Sequence, residues 1–331
     1  MSQPFVIEPR ASGGVDAHRE LVLDPAFGPL ARHVADERVT DVFVNGTAGL
    51  FVDRGAGAEP VDGWRASERE VRDLAVSLIA LGGRHVDDQA PCVDVRLASG
   101  VRVHAVLAPV AASGTALSIR IPRVRAADLA ALAARGAFDE RQHERLRDLV
   151  AARANILISG GTGTGKTTLL SALLTQAPAA ERIVTIEDVA ELRPRHPHHV
   201  ALEARQPNLE GAGGISLARL VRESLRMRPD RLVVGECRGE EVRELLSALN
   251  TGHDGGAGTL HASGLHDVPA RLEALGALAG LDATALARQA VSAFGIVLHL
   301  DRTPDGRRRI ACAGTLTMLG DRLSIEEVRE W

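Results

Sequence analysis

The sequence predicts an α/β fold in which a parallel, doubly wound sheet is preceded by a smaller α/β domain with an antiparallel sheet. Three observations carry this reading. Across residues 155–262, apolar strands alternate with amphipathic helices, the order that builds a parallel sheet with its chemistry at the carboxyl ends of the strands. Across residues 41–121, short stretches alternate apolar and polar side chains around an Asn45-Gly46 turn, as antiparallel pairs do. The chain has 331 residues, long enough for two domains.

Residues 1–20 hold Pro4, Pro9, Gly13 and Gly14 without a period and are expected to be a flexible N-terminus. The first domain is placed at 21–122. Leu30 to Val39 reads as a helix, Asp41–Val44 and Gly49–Asp53 as a hairpin. Ser67 with Glu70 three residues on is a capping box, opening a helix whose inner face is Val71, Leu74, Ala75 and Leu78. Cys92–Leu97, Arg102–Leu107 and Leu117–Ile121 alternate as strands and place Arg96, Arg102 and Arg120 among apolar neighbours. Solvent-facing arginines explain that pattern as well as a ligand does.

A linker is expected at 123–137, within an Ala/Leu/Arg-rich helical stretch broken at Gly136, and the second domain at 138–331. Strands are expected at Asn155–Ser159, Arg182–Asp188 and Arg231–Glu236, each apolar, the last two ending in carboxylates. Residues 193–214, rich in Pro, His and Gly, read as a loop or irregular strand. Helices are expected at Ser216–Met227, Glu240–Asn250, Val268–Leu278 and Ala283–Ser292, with further strands near Ile296–Leu300, Arg309–Ala313 and Leu323–Val328.

The chemistry starts at Gly160-Gly161-Thr162-Gly163-Thr164-Gly165-Lys166-Thr167, followed by Thr168, which fits G-x-x-x-x-G-K-[ST] between a strand and a helix. Glycines allow backbone N–H groups to converge on phosphate oxygens, and the helix N-terminus adds partial positive charge. Lys166 would reach the β- and γ-phosphates of ATP, and the Thr167 hydroxyl would ligate Mg²⁺. Lys166 is the only lysine among 39 basic residues. A chain otherwise committed to arginine keeps a thin, compact ammonium here, where a planar fork does not fit.

Hydrolysis also needs a carboxylate that orients and activates water, and a group that senses the γ-phosphate. Glu236, after an apolar strand, is the candidate base. Glu187 is a second catalytic candidate, and with Asp188 it adds negative charge near the metal; Glu187 and Glu236 would reach Mg²⁺ through water. Helix capping would explain Glu187 and Asp188 without a metal. Arg238 is placed to pair with one of these carboxylates. His253 and His261 flank Gly255, Gly256 and Gly258, a setting suited to a phosphate sensor. They and His196, His198 and His199 lack a cysteine or carboxylate at zinc-site spacing.

The net charge is −4 and the pI near 6.3, which speak against a dedicated nucleic-acid binder. Cys92, Cys237 and Cys312 form no C-x-x-C pair and fit a reducing compartment. No apolar run approaches membrane-spanning length, and Met1–Arg10 is no signal peptide, so a cytoplasmic protein is expected. Guanine-recognising switches need N-K-x-D, which a single lysine inside the glycine loop rules out. A small-molecule kinase or another nucleotide switch is the alternative, but it leaves residues 1–122 unexplained.

Taken together, four ordered blocks resemble the ATPases of type II and type IV secretion and pilus assembly, most of all the TadA/CpaF branch of tight-adherence pili and the conjugation ATPases. They are the glycine loop, Thr185–Leu192 (TIEDVAEL), Arg228–Gly239 (RPDRLVVGECRG) and Asn250–Ala262 (NTGHDGGAGTLHA). The resemblance implies a RecA-like second domain, a homo-hexameric ring, and ATP bound between the two domains. It also implies an inner-membrane platform protein as partner, hence a position at the inner face of the cytoplasmic membrane. On that pattern Arg102 and Arg120 match arginines that approach the phosphates from the first domain. Two departures stand out. Gly256-Ala257-Gly258 replaces a segment where relatives often carry serine, and the tetracysteine module of pilus-extension motors is missing.

Overall fold

The computed structural model describes residues 24–97, 99–121, 128–205, 213–329 and 331, and the chain divides into two units, 1–124 and 125–331. The expected flexible N-terminus lies outside the described residues, as does part of the expected linker. In the first unit, a one-turn helix α1 (Ala31–Val34) precedes β1 (Asp41–Asn45), β2 (Leu50–Asp53) and β3 (Ala58–Pro60). Then come α2 (Glu68–Leu81), β4 (Cys92–Arg96), β5 (Arg102–Val106) and β6 (Ala116–Arg120). The six strands form one antiparallel sheet in the order β3-β2-β1-β6-β5-β4.

Here α2 opens with the expected box: the Ser67 hydroxyl accepts from the Glu70 amide, and the Glu70 carboxylate accepts from the Ser67 amide at 2.7 Å. Its Val71, Ala75 and Leu78 are buried against one face of the sheet with Val42, Val44, Val103 and Ile119. The helix expected across Leu30–Val39 ends at Val34. Asp36 turns the chain by accepting from the Arg38 amide at 3.1 Å, and Val39 is already in the core as the backbone enters β1. The three-residue β3 shows no alternation and was not expected.

The second unit begins with α3 (Leu129–Ala133) and α4 (Glu140–Ala151). They are followed by β7 (Ile156–Gly160), α5 (Lys166–Thr175), β8 (Ile183–Glu187), β9 (His199–Glu203), α6 (Leu217–Ser224), β10 (Arg231–Val234) and α7 (Glu241–Leu249). The chain closes with β11 (Ala257–His261), α8 (Val268–Leu278), α9 (Ala283–Ala293), β12 (Ile296–Arg302), β13 (Arg308–Leu319) and β14 (Arg322–Glu327). Its α3 lies inside the stretch expected as a linker, yet Leu129 is fully buried with Leu146 and Leu170.

The eight strands run β14-β13-β12-β7-β11-β10-β8-β9. Strands β12 to β9 along that order are parallel, whereas β13 and β14 pair antiparallel. The sheet is therefore mixed rather than wholly parallel. Short turns join β12, β13 and β14, and a chain that reverses without a crossover can only pair antiparallel. Alternate residues feed two cores. Leu157, Val184, Leu232 and Leu260 meet α6–α9 on one face, while Ile156, Ile158, Ile183 and Val233 meet α3–α5 on the other. The sheet is doubly wound. Within the Pro- and His-rich stretch, β9 is a regular strand paired with β8 from Ile183↔His199 to Glu187↔Glu203. Among the described residues, no helix is long and apolar enough to cross a membrane.

Candidate nucleotide site

The glycine loop joins β7 to α5 at the carboxyl edge of the parallel strands. Gly160 has φ +151°, and a Cβ there would stand 2.5 Å from the Leu300 carbonyl oxygen. Gly165 caps α5 in the left-handed region at φ +96°, and no side chain caps that helix. Its first amides are thus left without side-chain acceptors, the donor set that suits an anion. Lys166 is buried, and its Nζ donates to the carbonyls of Gly160 (3.0 Å) and Gly161 (2.9 Å). The Thr164 hydroxyl donates to Gly161 O at 2.9 Å and tightens the loop. Burial pushes the Lys166 ammonium below the ordinary lysine value; Glu236 opposes that shift and Arg238 adds to it. Thr162 and Gly163 are exposed, and Thr167 and Thr168 lie half-buried in the first turn of α5.

Strand β11 lies between β7 and β10, with His261 in register with Gly160. That order brings the loop after β10 within reach of the glycine loop. Cys237 turns into the core while Glu236 and Arg238 turn outward. Arg238 Nη2 donates to Glu236 Oε2 at 2.5 Å, and Arg238 Nη1 lies 3.8 Å from Asp188. Glu236 Oε1 is 2.7 Å from His261 Nε2 but lacks a well-directed donor, so a buried carboxylate oxygen is left without a hydrogen bond. On its other side, His261 Nδ1 is 3.4 Å from Lys166 Nζ. An ammonium can only donate, so Nδ1 accepts and the ring proton sits on Nε2, facing Glu236. Burial lowers the His261 pKa, and Lys166 lowers it further against the pull of Glu236.

Four expected residues, Lys166, Glu236, Arg238 and His261, thus form one connected cluster, with Asp188 at its margin. Glu187 lies at the same sheet edge, but its carboxylate is directed into its own loop. Oε1 accepts from the amides of Glu191 (3.0 Å) and Leu192 (3.1 Å). His253 is a correction: it belongs to the other end of β11. Gly256 there bonds Asn155 and His253 itself contacts Ala248 O at 3.2 Å, whereas His261 ends the strand about 16 Å away at ~3.3 Å per residue. The histidine box is long enough to run from one edge of the sheet to the other. Its Gly256 serves packing, since a Cβ would stand 2.4 Å from Leu249 Cδ2.

In the first unit, Arg102 Nε donates to Asp94 at 2.8 Å and Arg120 Nε to Asp41 at 3.2 Å. The two arginines are directly opposed across β5 and β6, and Arg96 is opposed to Arg102 across β4 and β5. Like charges opposed in this way destabilise a sheet, and the Asp94 and Asp41 carboxylates offset that repulsion here.

Sequence reasoning missed three residues. Glu241 is buried at the start of α7 and accepts from the Arg238 and Gly239 amides. An acidic residue in a first helical turn was the available signal. Ser159 and His299 pair at 2.9 Å beneath the glycine loop, and partners 140 positions apart leave no local trace.

A glycine loop opening a helix, a carboxylate two strands away and a histidine between them are the parts that nucleoside-triphosphate hydrolysis calls for. Residues 25–307 match the type II/IV secretion system protein family, and the chain belongs to it. It is 49% identical over 310 residues to a putative conjugal transfer protein of Mycobacterium tuberculosis, covering 92% of this chain and 88% of that protein. The conjugal transfer protein TrbB of Rhizobium radiobacter is 31% identical over 278 residues, with 82% of each chain covered. The pilus retraction motor PilT, solved with bound ADP, shares the fold at 18% identity and a TM-score of 0.61, over 87% of this chain and 82% of that one. The protein is an ATPase of a secretion system.

Proposed function

We propose that the protein hydrolyses ATP with Mg²⁺ as a homo-hexameric motor of the TadA/CpaF or conjugation type, docked on an inner-membrane platform protein from the cytoplasmic side. The second unit is read as RecA-like, which the insertion of β11 between the glycine-loop strand and β10 supports. The donor set suits the nucleotide: an ammonium, an uncapped helix N-terminus and a hydroxyl lie at one sheet edge.

In this reading Gly160 to Thr168 hold the phosphates, and Lys166 exchanges two carbonyls for phosphate oxygens. The Thr167 hydroxyl would hold Mg²⁺, with Glu187, Glu236 and Asp188 acting on it through water, and the ion would supply positive charge against the phosphates. Glu236 accepts the proton of the attacking water, and Arg238 holds the carboxylate in place. His261 couples Glu236 to Lys166.

The observation that carries the reading is Glu236 Oε1: buried, in no well-directed hydrogen bond, and 2.7 Å from a histidine that reaches Lys166. Lys166→Ala should lower ATP turnover by roughly 10- to 150-fold, since a charged phosphate contact contributes about 1.5–3 kcal/mol. Turnover at the wild-type rate in a phosphate-release assay would sink the assignment. Mass measurement with and without ATP should show a hexamer, and a monomer that hydrolyses ATP at micromolar concentration would remove the ring.

A further inference from the structure

The loop Gly235–Gly239 must present two charged side chains outward from a strand end that is otherwise apolar. Several bonds pin it from the inside. The Gly235 amide donates to Ile186 O at 2.8 Å, and Gly235 O accepts from the Thr259 hydroxyl at 2.6 Å. The Cys237 amide donates to Thr259 O at 2.8 Å, and its side chain is buried. These ties stop at Cys237. Beyond it, the amides of Arg238 and Gly239 both converge on one oxygen, Glu241 Oε1, at 2.5 and 2.8 Å.

Glu241 is 4% exposed, and carboxylates are seldom buried to that degree unless something compensates them. The compensation here is the pair of loop amides together with its place as the first residue of α7, where the helix dipole favours negative charge. The side chain touches neither the glycine loop nor His261 among the contacts formed by the described residues. What it reaches is the backbone carrying Arg238, whose guanidinium in turn holds Glu236 Oε2 at 2.5 Å.

We propose that Glu241 is a positioning residue for hydrolysis: by gathering the Arg238 and Gly239 amides on Oε1, it sets the Arg238 guanidinium and, through it, the water-facing Glu236 carboxylate. This rests on the reading of Glu236 as the base. Glu241→Ala releases both amides, and kcat for ATP should fall about 100-fold, the scale of a 1 Å misplacement at a reacting group. Binding of a fluorescent ATP analogue should stay within about twofold, because the glycine loop is untouched. Glu241→Gln keeps an oxygen that can accept both bonds and should recover turnover to within about threefold of wild type.

A residue that merely stabilised the fold would add its loss in any background, so the test is repeated in Glu236→Gln. There Glu241→Ala should lower the residual single-turnover rate no further. Hydrogen exchange of peptides covering 235–240 should speed up in Glu241→Ala and stay unchanged in Glu241→Gln. Unchanged exchange in Glu241→Ala, an equal loss of turnover in both variants, or a further fall in the Glu236→Gln background would overturn the proposal. If wild-type protein turns over no ATP while the exchange pattern appears as stated, the tie stands and the reading of Glu236 as base fails instead.

Discussion

The two edges of the parallel sheet use the same side-chain chemistry to opposite ends. At the amino-terminal edge, Arg231 is 3% exposed and all three of its guanidinium nitrogens donate: to Glu181 (2.5 Å), Val150 O (2.8 Å) and Gly255 O (3.5 Å). Arg153 adds bonds to Glu181 (2.7 Å), Asp230 O (2.6 Å) and Asp254 O (3.0 Å). That network ties the starts of β7, β8, β10 and β11 to the end of α4. At the carboxyl edge, Lys166 is parked on loop carbonyls and Glu236 keeps an oxygen outside any well-directed hydrogen bond. A satisfied buried network fixes structure, whereas charge left unresolved in a desolvated place is what a ligand or a reaction can resolve.

The comparison is easiest to break by exchanging losses between the edges. Glu236→Gln should cut hydrolysis by roughly 10²–10⁴-fold, the usual contribution of a positioned base, while ATP binding persists. Loss of binding in that variant would make Glu236 structural. Arg231→Ala should do the reverse. Removing one partner of a buried ion pair costs about 3–5 kcal/mol, read by urea unfolding, with kcat per folded molecule unchanged. A fall in kcat without a fall in stability would erase the distinction between the edges.

The two histidines of one motif sharpen it further. His261→Ala should lower kcat by roughly 10- to 150-fold, the value of a hydrogen bond to a charged group, while His253→Ala changes it less than about twofold. Equal effects would return His253 to the site. The smallest effect concerns acid. His199 begins β9 at the structural edge and its Nε2 lies 2.9 Å from the Thr185 hydroxyl. Burial, with Arg193 and His196 adding to it, lowers its pKa from 6.5 to about 4. The folded state therefore disfavours the protonated ring. Its contribution to stability is complete above pH 6.5 and is lost as pH falls from there through about 4. His199→Gln should flatten the decline of Tm over that window; an unchanged slope would show that other groups carry the acid sensitivity.

Much of this was legible from local patterns. The Ser67–Glu70 box, the strand starting near Ile156 and the helix Val268–Leu278 stand where periodicity and capping put them, because each depends on neighbours within a few positions. Reading failed where the deciding partner is remote. The mixed sheet follows from two short connections near Arg307 and Gly320, and β9 owes its regularity to pairing with β8 rather than to its own Pro- and His-rich flank. A motif also carries no marker for which of its ends faces the chemistry. His253 and His261 look alike in the sequence, and only the length of β11 separates them.

The order of amino acids by itself determined that a glycine loop sits between a buried strand and a helix, and that carboxylates stand at or just past the ends of two further strands. Glycine conformation, apolar periodicity and a lone lysine are local properties, readable wherever they occur. Only the tertiary structure decided which carboxylate meets the histidine. The placement of β11 between β7 and β10 puts His261 between Lys166 and Glu236, while the loop after β8 closes over Glu187 with two amides. Whether a buried charge serves catalysis or structure depends on what meets it in space, and chain order does not record that.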